Sequence, residues 1–117
     1  MKEIRNLEPK PVWERFADIC AIPHPSKHEA KILKYLTDFA DKHHLAYKQD
    51  AVGNIVISKA AAVGYEGKPA VVLQGHLDMV PQKNGNVDFD FENDAIRPYI
   101  DGEWIKAQDT TLGADNG

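Results

Sequence analysis

The chain has 117 residues, a formal net charge of −4, 43% hydrophobic and 27% charged residues, which is at most one domain of ordinary globular composition. No stretch approaches the roughly 18 consecutive apolar residues of a membrane-crossing helix, and no basic patch with interleaved aromatics points to nucleic acid. Cys20, the single cysteine, excludes an internal disulfide framework. Met1-Lys2-Glu3-Ile4-Arg5-Asn6 has no apolar run after its charges, so no signal peptide is expected. The cytoplasm is the expected compartment, although a mature sequence with its signal removed reads the same way. Net charge is uneven, +2 over residues 1–60 and −6 over residues 61–117, which suits either a cation site or an acidic solvated surface.

A first helix is expected over residues 7–20. Pro9 and Pro11 are tolerable only near its start, and Val12, Phe16, Ile19 and Cys20 recur at helical spacing. Cys20 is expected to pack in that apolar face, since no activating base is identifiable. Pro23 and Pro25 break the helix. Ser26 and Glu29 have the spacing of a capping box, so a second helix is expected from Lys27 to His44, with Ile32, Leu36, Phe39 and Ala40 on one face. His24, His28, His43 and His44 lack ligand spacing and read as surface or cap residues.

Residues 45–50 and 55–59 read as two antiparallel strands joined by Val52-Gly53-Asn54. A small-residue loop follows to Pro69. Residues 70–76 then read as a central strand, because Val71-Val72-Leu73 is unbroken and apolar. Residues 82–95 carry Asp88, Asp90, Glu92 and Asp94 but lack the pattern of a calcium loop, so a solvated loop is expected. Asp101-Gly102 marks a hairpin between 97–100 and 103–106, with Pro98 implying an edge position or an irregularity.

The chemistry gathers after the central strand, in Gly75-His76-Leu77-Asp78-Met79-Val80. A strand has a side-chain period of two, so His76 and Asp78 leave the backbone on one side. Alone, such a pair is either half of a metal site or a structural hydrogen bond. Thr111-Leu112-Gly113-Ala114-Asp115-Asn116-Gly117 alone reads as turn chemistry.

Taken in order, these two motifs, the acidic loop between them and the Tyr99-Ile100-Asp101-Gly102-Glu103-Trp104 hairpin resemble the Xaa-His dipeptidases. These enzymes, the aminoacyl-histidine or cytosolic non-specific dipeptidases, belong to the co-catalytic zinc peptidase superfamily. The resemblance extends back through Ile22-Pro23-His24-Pro25-Ser26-Lys27-His28-Glu29 and Asp50-Ala51-Val52-Gly53-Asn54, and so covers nearly the whole chain. Met79, where many members of the wider superfamily carry Thr or Val, favours the Xaa-His branch.

The resemblance implies an α/β fold, the N-terminal part (1–117) of a catalytic domain, with a mixed, mostly parallel sheet flanked by helices. It implies that His76 binds one of two zinc ions, that Asp115 bridges both, and that Asp78 holds the imidazole and tunes its basicity. Dipeptides, including Xaa-His, are the implied substrates, and the full-length form is implied to be a homodimer with no nucleic-acid or membrane partner. The family's general base, remaining ligands and lid or dimerisation domain fall after residue 117, so the chain alone is expected to be inactive. Two other readings stay open: a folded non-catalytic module, and another zinc hydrolase of the superfamily such as an aminoacylase or tripeptidase.

Overall fold

A computed structural model describes residues 3–115; Met1, Lys2, Asn116 and Gly117, and with them part of the N-terminal and Asp-Asn-Gly readings, lie outside the described residues. A short 3₁₀ turn, Ile4–Asn6, precedes two helices, α1 (Lys10–Cys20) and α2 (Ala30–Lys42). Two hairpins follow, β1 (Ala46–Gln49) with β2 (Ile55–Ser58), and β3 (Pro98–Asp101) with β4 (Trp104–Ala107).

Helix α1 begins after Pro9 and carries Pro11 in its first turn, where a missing N–H costs no helical hydrogen bond. Ala17 and Cys20 are buried on its inner side. Helix α2 starts three residues later than the Ser26 capping box implies. Lys27 adopts φ +73°, which is incompatible with a first helical turn. Glu29 reaches back to accept the Lys27 N–H at 2.7 Å. Asp18 ties the three helical pieces together: it accepts from Arg5 Nη2 at 2.8 Å and from the Tyr35 hydroxyl at 3.1 Å.

The strands that form pair antiparallel, Ala46 with Ser58 through Gln49 with Ile55, and Pro98 with Ala107 through Asp101 with Trp104. The α/β mixture stands, but the expected mostly parallel sheet is corrected. Parallel pairing needs a second strand delivered by a crossover. The parallel pairing among the described residues is one isolated bridge, Pro25 to Met79. Residues 70–76 are likewise not part of a ladder, and Val71, Val72 and Leu73 are 85%, 86% and 92% exposed. Apolar composition disposes a segment to a central strand, but only neighbouring strands make it one.

Both expected hairpins form by local chemistry, the second with its turn one residue later than expected, at Gly102-Glu103 in place of Asp101-Gly102. The Asp50 carboxylate accepts the Val52 and Asn54 N–H groups and the Asn54 side-chain amide, which closes the first turn with Gly53 at φ +95°. In the second, Asp101 pairs with Trp104, so Gly102 (φ +61°) opens a two-residue loop, a position that suits glycine in a type II′ turn.

The core lies where α1 meets the segments around Met79 and Phe89. Cys20, Met79, Phe89 and Ile96 are buried together, with Phe16, Val87, Phe91 and Leu112 packed against them. The loop 82–95 is therefore not simply solvated, since Phe89 and Phe91 anchor it, their rings 4.8 Å apart edge to face. Its carboxylates serve the backbone. Asp90 accepts from the Glu92 N–H and the Asn93 side chain, and Asp94 accepts the Asp90 N–H. His24, expected at the surface, is 2% exposed; its Nδ1 meets the Ile22 carbonyl at 2.5 Å, while its buried Nε2 has no hydrogen-bond partner. No helix among the described residues is long and apolar enough to cross a membrane.

Candidate metal centre

Two backbone hydrogen bonds place the His76 segment, and a third ties the end of α1 to Ile96. The Met79 N–H donates to the His24 carbonyl and the Ser26 N–H to the Met79 carbonyl, both at 3.1 Å, and the Ile96 N–H donates to the Cys20 carbonyl at 3.0 Å. The chain leaving α1 is thus stitched to the residue just after Asp78. Pro23 and Pro25 fix φ on either side of His24, so this connection enters with few conformations to lose.

Asp115 is brought back by a second set of bonds. The Thr111 N–H donates to the Gln82 carbonyl at 3.0 Å. The Thr111 hydroxyl donates to the Val80 carbonyl at 2.5 Å and accepts the Gln82 N–H at 3.2 Å. An isolated antiparallel bridge, Lys83 to Thr110, lies beside them. These bonds fold the stretch after β4 against the stretch after Met79, and Asp115 arrives at the His76 ring.

The two ring nitrogens of His76 then face different carboxylates. Nδ1 is 2.9 Å from Asp78 Oδ1, and Nε2 is 3.5 Å from Asp115 Oδ2. The hydrogen bond His76 donates to Asp78 is the main reason the imidazole pKa lies above its ordinary value, with Asp115 adding attraction. Asp78 is held below the usual carboxylate range, first by the Ser26 hydroxyl and then by His76. The Ser26 Oγ lies 2.5 Å from Asp78 Oδ2, so each oxygen of that carboxylate has its own partner.

His76 is exposed and Asp78 half-buried. Both line an open groove of about 770 Å³, whose other walls include Leu33, Leu36 and Ile57.

All three residues singled out by sequence, His76, Asp78 and Asp115, therefore meet in one place. Of these groups, His76 Nε2 and the Asp115 carboxylate are the ones that could hold a metal. Among the described residues, no group of three or more His, Cys, Asp or Glu gathers in a form that would hold one. Sequence reasoning missed Ser26 and Thr111 as parts of the site. Ser26 has a stronger local signal as a helix cap, and Thr111 stands out in the sequence only as part of the Asp115 motif.

No family model matches the chain. Over all 117 residues it is 54% identical to the cytosol non-specific dipeptidase of Escherichia coli strain K12, of which it covers 24%. Its fold superimposes on the crystal structure of aminoacylhistidine dipeptidase from Vibrio alginolyticus with a TM-score of 0.93 and 50% identity, over 98% of this chain and 24% of that one. The resemblance carried by the sequence motifs thus extends over the whole chain, in sequence and in fold. The chain spans about a quarter of the length of these relatives.

Proposed function

We propose that this chain carries the first part of the catalytic domain of a zinc-dependent, cytoplasmic dipeptidase that hydrolyses dipeptides including Xaa-His. The observation that carries the reading is the division of the His76 ring, with Asp78 on Nδ1 and Asp115 opposite Nε2. A metal-bound histidine usually gives its second ring nitrogen to a carboxylate, which fixes tautomer and orientation. The dipeptidase names of the relatives support the reaction class.

The donor set suits zinc as far as it goes. Imidazole nitrogen and carboxylate oxygen are ordinary zinc ligands at about 2.0–2.2 Å. His76 Nε2 and Asp115 Oδ2 lie 3.5 Å apart, so the two could serve one ion together. His76 would hold one ion and Asp115, through its two oxygens, would bridge a pair. When bound, zinc would polarise the peptide carbonyl and activate the attacking water.

The residues of this chain do the holding. Asp78 keeps a proton on Nδ1, which leaves the Nε2 lone pair aimed outward. Leu33 and Leu36 give one wall of the groove an apolar surface. His76 and Asp115 make two ligands, and a catalytic zinc needs three protein ligands. The 117-residue chain is accordingly inactive alone, and activity belongs to a longer, homodimeric polypeptide with the remaining ligands.

The test compares two polypeptides, this chain and one extended to the length of its relatives, for Zn²⁺ content and for hydrolysis of β-alanyl-histidine. Stoichiometric zinc and hydrolysis in the longer form, both lost on His76→Ala, are the expected result. Full turnover by the short chain, or metal-independent turnover by the long one, overturns the reading.

A further inference from the structure

We propose that Ser26 is a positioning residue for His76, acting through the Asp78 carboxylate. It deepens the metal-site reading above and depends on that reading only for its consequence for metal affinity.

The terminal torsion of an aspartate is broad and roughly two-fold. A carboxylate held through one oxygen can swing and offer its partner a poor angle. Asp78 is held through both: Oδ1 lies 2.9 Å from His76 Nδ1 and Oδ2 lies 2.5 Å from Ser26 Oγ. The plane of the carboxylate is then set by the serine, and the plane of the imidazole by the carboxylate. The Ser26 hydroxyl also lies 3.2 Å from the Met79 carbonyl. It has one proton to give, and the shorter, charge-assisted bond goes to Asp78.

Ser26 does not depend on its hydroxyl for its own place. Its N–H donates to the Met79 carbonyl, and the Met79 N–H donates to the His24 carbonyl. Helix capping does not account for the hydroxyl either, because α2 begins only at Ala30 with Glu29 before it. Its role lies instead with a carboxylate 52 residues away. Removing the hydroxyl therefore leaves the fold's crossing intact and releases one side of Asp78.

The test uses the 117-residue chain labelled with ¹⁵N-histidine, metal-free, at a pH where the ring is uncharged. Long-range ¹H–¹⁵N spectra report which nitrogen of His76 carries the proton. Wild type is expected to show Nδ1–H, Ser26→Ala a mixture of tautomers, and Ser26→Thr the wild-type pattern. Wild-type ring shifts in S26A, or a mixture in S26T, overturn the proposal. Thermal unfolding is followed in parallel; if S26A does not fold, Ser26→Cys, which keeps the volume and weakens the donor, replaces it under the same criteria. Titration with Zn²⁺ alone adds the functional arm, in the extended polypeptide. S26A is expected to weaken binding about tenfold and S26T to stay within about twofold of wild type. Failure of the wild type to bind Zn²⁺ overturns the metal reading, while the tautomer spectra still decide the role of Ser26.

Discussion

His76 Nε2 and Asp115 Oδ2 face each other across 3.5 Å, although a core loop and a whole hairpin separate the two residues along the chain. The contact is exposed, and as an ion pair it contributes little to stability. Its value is positional, since it brings an imidazole nitrogen and a carboxylate oxygen together from distant parts of the chain.

The Asp78→Asn variant tests the support behind that arrangement. An amide can still meet Nδ1, but its donor and acceptor roles are no longer enforced by charge. In the extended polypeptide, zinc affinity is expected to fall about 10–100-fold, with little change in thermal stability. Isothermal titration with Zn²⁺ and a melting curve on the same sample measure both.

Thr111→Val tests how Asp115 is delivered. The variant keeps the shape and the N–H bond to Gln82, and it removes the two hydroxyl contacts with Val80 and Gln82. A loss of about 1 kcal/mol is expected, seen by urea denaturation. Nuclear Overhauser contacts between His76 and Asp115 should weaken with it.

Cys20 supplies the pH prediction. Burial raises its thiol from 9.0 to about 11. The folded chain keeps the thiol protonated where the unfolded chain has lost its proton, so stability is fully present below pH 9 and declines as pH rises from 9 towards 11. The slope is at most about 1.4 kcal/mol per pH unit. Denaturation midpoints at a series of alkaline pH values should fall in wild type and fall less in Cys20→Ala. A thiol reagent should label Cys20 only after denaturant is added.

Val71, Val72 and Leu73 present an extended, apolar and exposed stretch. Unpaired strand-like segments of that kind template association. Sedimentation velocity of the 117-residue chain should show oligomers that grow with concentration. Placing charge there, as Val71→Lys with Leu73→Lys, should shift the population to monomer. A concentration-independent monomer in wild type would contradict this expectation.

The pattern of agreement between sequence and fold follows the range of the forces involved. The hairpin around Gly102 was legible because its turn and its two arms lie within ten residues. The helices were legible from their apolar period, and their starts were not. Ser26 and Glu29 match a capping box, but Lys27 takes a left-handed conformation and the serine hydroxyl is claimed by Asp78. No local pattern records such a distant partner. Residues 70–76 show the same limit from the other side: composition announced a central strand, and pairing depends on neighbours it cannot specify. Phe89 and Phe91 were visible among the carboxylates of their loop, yet their weight as core anchors follows from meeting Cys20, Met79 and Ile96. His76, Asp78 and Asp115 were legible because their spacing and context form a motif, and their mutual geometry came only with the fold.

The stitching of His24 and Ser26 to Met79 has a consequence for cutting the chain. Residues 59–70 are exposed throughout and contain Lys59, whereas Lys68 is shielded from trypsin by the following Pro69, so trypsin should nick this stretch first after Lys59. One product would hold Ser26 and both helices, the other His76, Asp78 and Asp115. The backbone bonds across Met79 and the shared core around Cys20 run between the two pieces. The nicked protein should therefore migrate as a single species on a native column and separate into two peptides only in denaturant.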